Sequence, residues 1–135
     1  MKVMIYLDAN IFIYAATNQG FKGEKCRKIL FDLSKNRFEG YTSVLTWDEV
    51  VHSILKKEGK DKAIDQGKDF LKLPNLTFLD STLLIISNAQ QLCEEKFLKP
   101  RDAIHAATAI NHKIKKIASD DSDFDKVKEL KRIRI

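Results

Sequence analysis

The chain has 135 residues, of which 44% are hydrophobic and 32% charged, a composition that is typical of globular proteins and excludes an intrinsically disordered chain. The length is that of one domain, so we expect a single domain covering residues 1–135. The formal net charge of +5, from 24 Lys and Arg against 19 Asp and Glu, is compatible with a polyanionic partner.

The cysteines and the N-terminal segment exclude further classes. Cys26 and Cys93 lie far apart, without CxxC spacing or nearby His partners, which argues against a zinc site and a disulfide framework. Asp8 and Asn10 interrupt the apolar N-terminal segment, which is not the pattern of a signal peptide. No stretch approaches the roughly 18 apolar residues of a transmembrane helix. We therefore expect a cytoplasmic protein with reduced thiols and no membrane partner.

The predicted elements begin with a strand over residues 2–7, which is rich in β-favouring residues and has no polar alternation, as expected for a strand buried on both faces. Apolar spacing, caps and breakers predict the remaining elements. We expect helices at 11–16, 24–35, 44–57, 61–71, 82–96 and 100–112, strands at 40–43, 76–79, 116–119 and 132–135, and an acidic loop or turn at 120–125. Such alternation of strands and helices predicts an α/β sandwich with a mainly parallel sheet.

Acidic residues recur at or near the predicted strand ends. In an open parallel sheet the carboxyl ends of the strands meet at one edge, so these side chains are expected to converge there. Carboxylates that lie this close repel one another unless a cation neutralises them, and Mg²⁺ or Mn²⁺ prefers oxygen ligands. The positions are Asp8 after the first strand, Glu49 one turn into the third helix, Asp102 in the first turn after Pro100, and Asp121 between Asp120 and Asp123.

Each of these acids also has a purely structural interpretation. Small residues on the face of Asp102, at Ala106 and Ala109, favour an inward position, and Phe124 is placed to anchor the acidic turn in the core. The alternatives are a helix cap for Asp8 or Asn10, a capping box with Thr46 or a water-facing position for Glu49, a helix-dipole role for Asp102, and a solvated loop for residues 119–123.

The histidines are weaker candidates for metal ligands than the acids. His105 lies three residues after Asp102, but it falls on the helix face away from the apolar stripe, so we expect a surface or helix-packing residue. His52 and His112 offer weaker signals still. Asp80 or Ser81 is expected to cap the helix at 82–96.

Four segments resemble, in order and spacing, the acidic motifs of PIN-domain proteins. They are Ile5–Asn10, Thr46–Val50, Pro100–Ala109 and Ser119–Phe124, and the match spans essentially the full chain. The chain is most similar to the small members typified by the VapC toxins of prokaryotic toxin-antitoxin pairs. This resemblance implies a three-layer α/β/α sandwich with a central sheet of about four to five strands. It also implies a Mg²⁺- or Mn²⁺-dependent ribonuclease.

The resemblance further implies roles for particular residues and partners. The expected partners are an RNA substrate, held by basic residues such as Arg101, a second copy in a homodimer, and a cognate antitoxin that fills the groove. Spacing to Phe124 favours Asp121 over Asp120 as the last acid. The implied acidic quartet is Asp8, Glu49, Asp102 and Asp121, with Asp8, Asp102 and Asp121 as metal ligands, Asn10 and Ser119 as polar supports, and Asp123 as an additional ligand.

Two other functions compete with this interpretation. A phosphatase of the haloacid dehalogenase type needs a second acid two residues after its nucleophile, and Asn10 stands at that position relative to Asp8. A PIN-like scaffold that binds RNA or protein without cutting is the other alternative. Occupation of all four acidic positions argues against it.

Overall fold

The computed structural model describes residues 2–135. Five strands form one parallel sheet in the order β3-β2-β1-β4-β5, which confirms the predicted α/β class and strand number. The elements are β1 (Met4–Leu7), α1 (Ala9–Thr17), α2 (Phe21–Ser34), β2 (Glu39–Ser43), α3 (Thr46–Glu58), α4 (Lys60–Leu71), β3 (Leu76–Leu79), α5 (Leu83–Lys96), α6 (Pro100–Asn111), β4 (Lys116–Ala118), a 3₁₀ helix (Ser122–Lys126) and β5 (Lys131–Ile133).

The central position of β1 explains its apolar composition. Tyr6 pairs with Tyr41 of β2 on one side and with Ile117 of β4 on the other. Successive side chains of a strand point to opposite faces, so Tyr6 packs among α5 and α6 while Leu7 packs among α1 to α4. Both residues are fully buried. Helices on both faces of the sheet give the three layers that the resemblance implied.

Two helices begin two or three residues earlier than predicted. α1 begins at Ala9 rather than at residue 11, because Asp8 serves as its N-cap. α2 begins at Phe21, three residues before the predicted start, although Gly20 supplies no capping side chain. The Asn18 side chain compensates, since its Oδ1 accepts the backbone N–H groups of Gly20 (2.8 Å) and Gly23 (3.0 Å).

The contact between Asn18 and α2 also explains a glycine. A Cβ atom at position 23 would lie 1.8 Å from the carbonyl oxygen of Asn18, which is far inside van der Waals contact. Only glycine therefore allows the first turn of α2 to rest against the end of α1. This contact fixes where α2 begins relative to the end of α1.

Two smaller expectations are corrected. Thr82 caps α5 by accepting the N–H of Ile85 at 3.3 Å, so neither Asp80 nor Ser81 has that role. Helical spacing predicts one apolar stripe on α3 that includes Trp47 and Leu55, but these side chains are 43% and 45% exposed, so the buried part of the stripe is narrower. No helix among residues 2–135 combines the length and apolar character needed to cross a membrane. Both cysteines are free thiols, as expected.

Candidate functional site

Asp8 forms the floor of the site at the carboxyl end of β1. The residue is 4% exposed, and three donors fix its carboxylate. Oδ1 accepts the N–H of Ala9 at 2.7 Å, and Oδ2 accepts Ser119 Oγ at 2.6 Å and Asn10 Nδ2 at 3.1 Å. The cap interpretation and the site interpretation of Asp8 are thus compatible, because different oxygens serve the helix and the neighbouring strand.

Asn10 and Ser119 join the ends of two adjacent strands. Asn10 Nδ2 lies 3.3 Å from Ser119 Oγ, and Ser119 Oγ also accepts the N–H of Asp121 at 2.9 Å. Because β1 and β4 are neighbours in the sheet, these hydrogen bonds connect Asp8 at the end of β1 with the acidic turn after β4. The structure therefore places both predicted supports between Asp8 and Asp121.

Three other carboxylates form a cluster of their own, and the charge of Asp8 acts on one of them, Asp102. Asp102, Asp121 and Asp123 each offer an oxygen, and these oxygens lie within 4.8 Å of one another. Asp121 also begins the 3₁₀ helix, because its Oδ1 accepts the N–H of Asp123 at 2.9 Å. Burial first, and then a hydrogen bond with Asp121 and the charges of Asp121 and Asp8, raise the pKa of Asp102 to about 7. The cluster therefore holds more negative charge than its own residues neutralise.

The two adjacent acids after β4, Asp120 and Asp121, lie in different environments. Asp120 points away from the cluster and accepts Lys22 Nζ at 2.7 Å and the Tyr14 hydroxyl at 3.0 Å. The bond from Lys22 lowers the pKa of the Asp120 carboxyl. Of the two adjacent acids, Asp121 is the one that lies beside Asp102, as its spacing to Phe124 favoured.

Glu49 enters the site through a histidine that the sequence pattern placed wrongly. His105 is 1% exposed rather than on the surface, and its Nε2 lies 2.6 Å from Glu49 Oε1 and 3.5 Å from Asp8 Oδ1. On the other side of the ring, Nδ1 lies 2.6 Å from the Tyr6 hydroxyl. Thr46 bonds Thr42 at 2.8 Å and is not the N-cap of α3, so no capping box forms with Glu49.

Burial and charged neighbours have opposing effects on the pKa values of His105 and Asp8. Burial lowers the pKa of His105, but its contacts with Tyr6, Glu49 and Asp8 outweigh burial and raise the pKa well above its usual value. Burial raises the pKa of Asp8, against the charge of His105 and the bond from Ser119. A neutral His105 accepts from Tyr6 and donates to Glu49, whereas a protonated ring donates to both. In either form it fixes the orientation of Glu49.

Two sets of groups are thus close enough to hold a metal ion. Asp8, Glu49 and His105 form one set, and the three clustered carboxylates described above form the other. Only the second set is entirely oxygen, which is the donor type that Mg²⁺ and Mn²⁺ prefer. In the first set, the 2.6 Å bond from His105 already occupies one oxygen of Glu49.

An open groove connects the acids to cationic side chains. Its volume is about 550 Å³, and Glu49, Asp102 and Asp121 line it together with Lys99 and Arg101. The Arg101 guanidinium lies 3.5 Å from Asp48, and both side chains are more than half exposed. Acids therefore lie inside the groove and cations at its rim, which is the charge arrangement suited to a phosphate backbone held beside a metal.

The structure gives Tyr6 and His105 positions that sequence reasoning missed. Residues His105 to Ala109 are all buried, so α6 is enclosed on nearly every side, and an apolar stripe does not define its inward face. The usable signal was the run of small residues around His105. A helix made of alanine at that density packs closely against its neighbours, and a histidine within it is enclosed.

The fold and the clustered acids define an α/β domain with an acidic centre at the carboxyl edge of a parallel sheet. The PIN domain model matches residues 5–130, and the chain belongs to this family. No curated protein sequence matches the chain significantly.

Solved structures with the same fold include toxin-antitoxin proteins. VapBC2 from Rickettsia felis, bound to a DNA fragment from its promoter, gives a TM-score of 0.73 at 19% identity, covering 98% of both chains. DNA-bound VapBC from Salmonella typhimurium gives 0.74 at 18% identity, also covering 98% of both. VapC20 of Mycobacterium tuberculosis, a sarcin-ricin loop cleaving toxin, gives 0.75 at 13% identity, covering 90% of this chain and 92% of that chain. The resemblance to VapC-type PIN proteins is confirmed.

Proposed function

We propose that the protein is a divalent-metal-dependent endoribonuclease that hydrolyses RNA phosphodiester bonds. The observation that carries this proposal is the convergence of Asp102, Asp121 and Asp123 oxygens within 4.8 Å of one another. Its membership of the PIN family agrees with a nuclease. Similarity to a sarcin-ricin loop cleaving toxin supports RNA as the substrate.

The donor set fits a hard divalent cation. Burial and the neighbouring carboxylates raise the pKa of Asp102 to about 7, so this carboxyl is partly protonated at neutral pH. A bound cation would keep all three carboxylates of the cluster ionised. Asp102 and Asp121 would hold the ion together with Asp123, whose oxygen lies within 4.8 Å of theirs, and the family resemblance adds Asp8 as the third of the implied ligands. When bound, Mg²⁺ or Mn²⁺ supplies Lewis acidity toward a phosphoryl oxygen and lowers the pKa of water.

The protein's own residues supply position and charge. Ser119 and Asn10 hold the Asp8 carboxylate in one orientation, and the His105 ring does the same for Glu49. The carboxylates themselves repel a phosphate backbone, so RNA is held from the rim, where Lys99 and Arg101 line the groove. Such backbone contacts make binding depend on salt and not on sequence.

The biological role proposed here is that of the toxin of a toxin-antitoxin pair, acting in the cytoplasm. The structural neighbours from Rickettsia felis and Salmonella typhimurium are VapBC proteins, which supports a cognate antitoxin; the homodimer is proposed from the family resemblance alone. The phosphatase alternative is disfavoured, because the position that would need a second acid is Asn10, whose amide donates to Asp8 at 3.1 Å.

The test is cleavage of a mixed cellular RNA pool with Mn²⁺ and with chelator. Asp8→Asn is expected to abolish Mn²⁺-dependent cleavage while circular dichroism shows an intact fold. Asp120→Asn is the matched control, because that acid is adjacent in sequence to Asp121 but bonds Lys22 instead. Wild-type cleavage by Asp8→Asn, or equal losses in Asp120→Asn and Asp121→Asn, would contradict the assignment.

Calorimetric titration with Mn²⁺ separates an enzyme from a binding scaffold. The wild-type protein is expected to bind the ion, and Asp102→Asn to bind it at least about tenfold more weakly, since the loss of one charged ligand costs more than about 1.4 kcal/mol. A chain that binds RNA but takes up no Mn²⁺ would be the non-catalytic PIN-like module.

A further inference from the structure

One face of α2 combines exposed aromatic rings with lysines. Residues three or four apart on a helix share a face, and this spacing holds for Phe21, Lys25, Lys28, Phe31 and Lys35, which we name the α2 stripe. Phe21 is 77% and Phe31 49% exposed. A large part of each ring therefore lies outside the core and is open to a partner.

The stripe lies in a basic segment of the chain. Residues 21–37 carry six Lys and Arg against two Asp and Glu, a local net charge of +4. Asp32 pairs with Lys28 at 2.8 Å and with Arg37 at 2.6 Å. Lys25 and Lys35 form no ion pair within residues 2–135, so their charges are available to a partner.

Cationic and aromatic side chains lie together around the Phe31 ring and along one groove. Lys28 Nζ, Lys35 Nζ and Arg37 Cζ lie 5.8, 5.4 and 5.6 Å from the centre of the Phe31 ring. Phe21 and Phe31 line a shallow groove of about 700 Å³ with Lys25 and Lys28. Rings on which bases stack, beside cations that contact phosphates, are the features by which proteins bind single-stranded nucleic acid.

The N-terminal end of the stripe lies beside the acidic turn after β4. Lys22, next to Phe21, bonds Asp120 at 2.7 Å, and Asp120 is the residue before Asp121 of the acidic cluster. From Phe21 to Phe31 the helix rises about 15 Å, since each residue adds about 1.5 Å. That length corresponds to about four stacked nucleotides at about 3.4 Å each.

We propose that the α2 stripe binds single-stranded RNA and guides the strand to the acidic centre, an inference that rests on the proposed ribonuclease function. An acidic peptide would satisfy the lysines but would leave both phenylalanine rings in water. Bases cover the rings and phosphates reach the lysines, so single-stranded RNA fits both halves of the surface. The stripe adds a positioning surface for the substrate and takes no part in bond cleavage.

The ring contribution is tested by fluorescence anisotropy of a labelled 12-nucleotide oligouridine with the full chain in chelator. Phe31→Ala is expected to weaken binding by about 5- to 100-fold, the usual loss for one stacked base. The matched control is Leu71→Ala on α4, also an exposed apolar residue (57%), which is expected to change the Kd by less than about twofold. Phe21→Ala provides a second, independent loss.

The charge contribution is tested by salt dependence. Lys25→Gln with Lys35→Gln should reduce the slope of log Kd against log salt by about 1.4, because each phosphate contact on a single strand contributes about 0.7. Lys60→Gln with Lys128→Gln removes the same total charge from exposed positions elsewhere and should leave the slope nearly unchanged.

Equal effects of the two lysine pairs would overturn the proposal, because binding would then follow net charge and not the stripe. Phe31→Ala binding like wild type would overturn it as well, and so would a polyglutamate peptide that competes as well as oligouridine. All of these measurements are made in chelator, so they are independent of cleavage. If the wild-type protein binds oligouridine through the stripe but does not cleave RNA, the proposed ribonuclease function is wrong and the proposed binding surface stands.

Discussion

Asp102→Asn is expected to stabilise the metal-free protein at alkaline pH while it weakens metal binding. The carboxyl is half-buried beside Asp121, and its pKa rises from 3.8 to about 7. The folded state therefore retains a proton that the unfolded state has lost, and stability falls as pH rises from about 4 through about 7. Above that range the folded protein carries the full repulsion, which the neutral amide removes.

The size of the gain is set by the pKa shift, with a discount. Three pKa units correspond to an upper limit of about 4 kcal/mol. Because Asp102 is partly exposed, solvent screening reduces this figure, and the substitution also forfeits a first-turn charge that favours the helix dipole by about 0.3–1 kcal/mol. We expect a net gain of about 1–2 kcal/mol in the free energy of unfolding, or about 3–8 °C in Tm.

Thermal unfolding in chelator at about pH 8.5 and about pH 4.5 measures this gain, which should largely disappear at the lower pH. Asp61→Asn is the control, because Asp61 is an exposed first-turn acid of α4 and its loss should only weaken a helix. A destabilised Asp102→Asn at alkaline pH, or a gain independent of pH, would show that Asp102 is a structural acid. Mn²⁺ should raise the Tm of the wild type and have little effect on the variant.

Two further substitutions test contacts around the site. Tyr6→Phe should cost about 1–3 kcal/mol in urea unfolding, because it leaves a ring nitrogen of the buried His105 without its partner, whereas Tyr41→Phe, which loses an exposed bond to Glu39, should cost under about 0.5 kcal/mol. Equal costs would show that the buried bond contributes nothing. Gly23→Ala should cost about 1–3 kcal/mol or more through its clash with a carbonyl oxygen, and Gly20→Ala, with 3.4 Å of room, much less.

The sequence pattern predicted β1 and the placement of Asp8 because both depend on local properties. An apolar segment without alternation indicates a strand covered on both faces, and the acid after it lies at the sheet edge by topology alone. The positions of Asp102 and Asp121 were predicted in the same way from the strand and helix order. The structure brings Asp102 and Asp121 into one cluster with Asp123, and it groups Asp8 with Glu49 and His105.

The features that the pattern did not predict depend on contacts between distant segments. His105 meets Tyr6 across 99 positions and Glu49 across 56, and no local spacing encodes either bond. The choice between the two acids after β4 is decided by Lys22, which draws Asp120 away from the cluster. The early start of α2 depends on the Asn18 loop, which is a property of the turn and not of helix periodicity.

The pairing of β1 with β4 bears on when the candidate site can assemble during synthesis of the chain. Tyr6 pairs with Ile117, and Ser119 joins Asp8 to the acidic turn, so the centre exists only when the two ends of the fold meet. Contacts this remote form late, because the connecting chain must first be ordered. An abandoned translation product or a proteolytic fragment that stops before β4 would thus have no assembled centre. For a proposed RNA-cutting toxin, incomplete chains would be harmless to the cell that makes them.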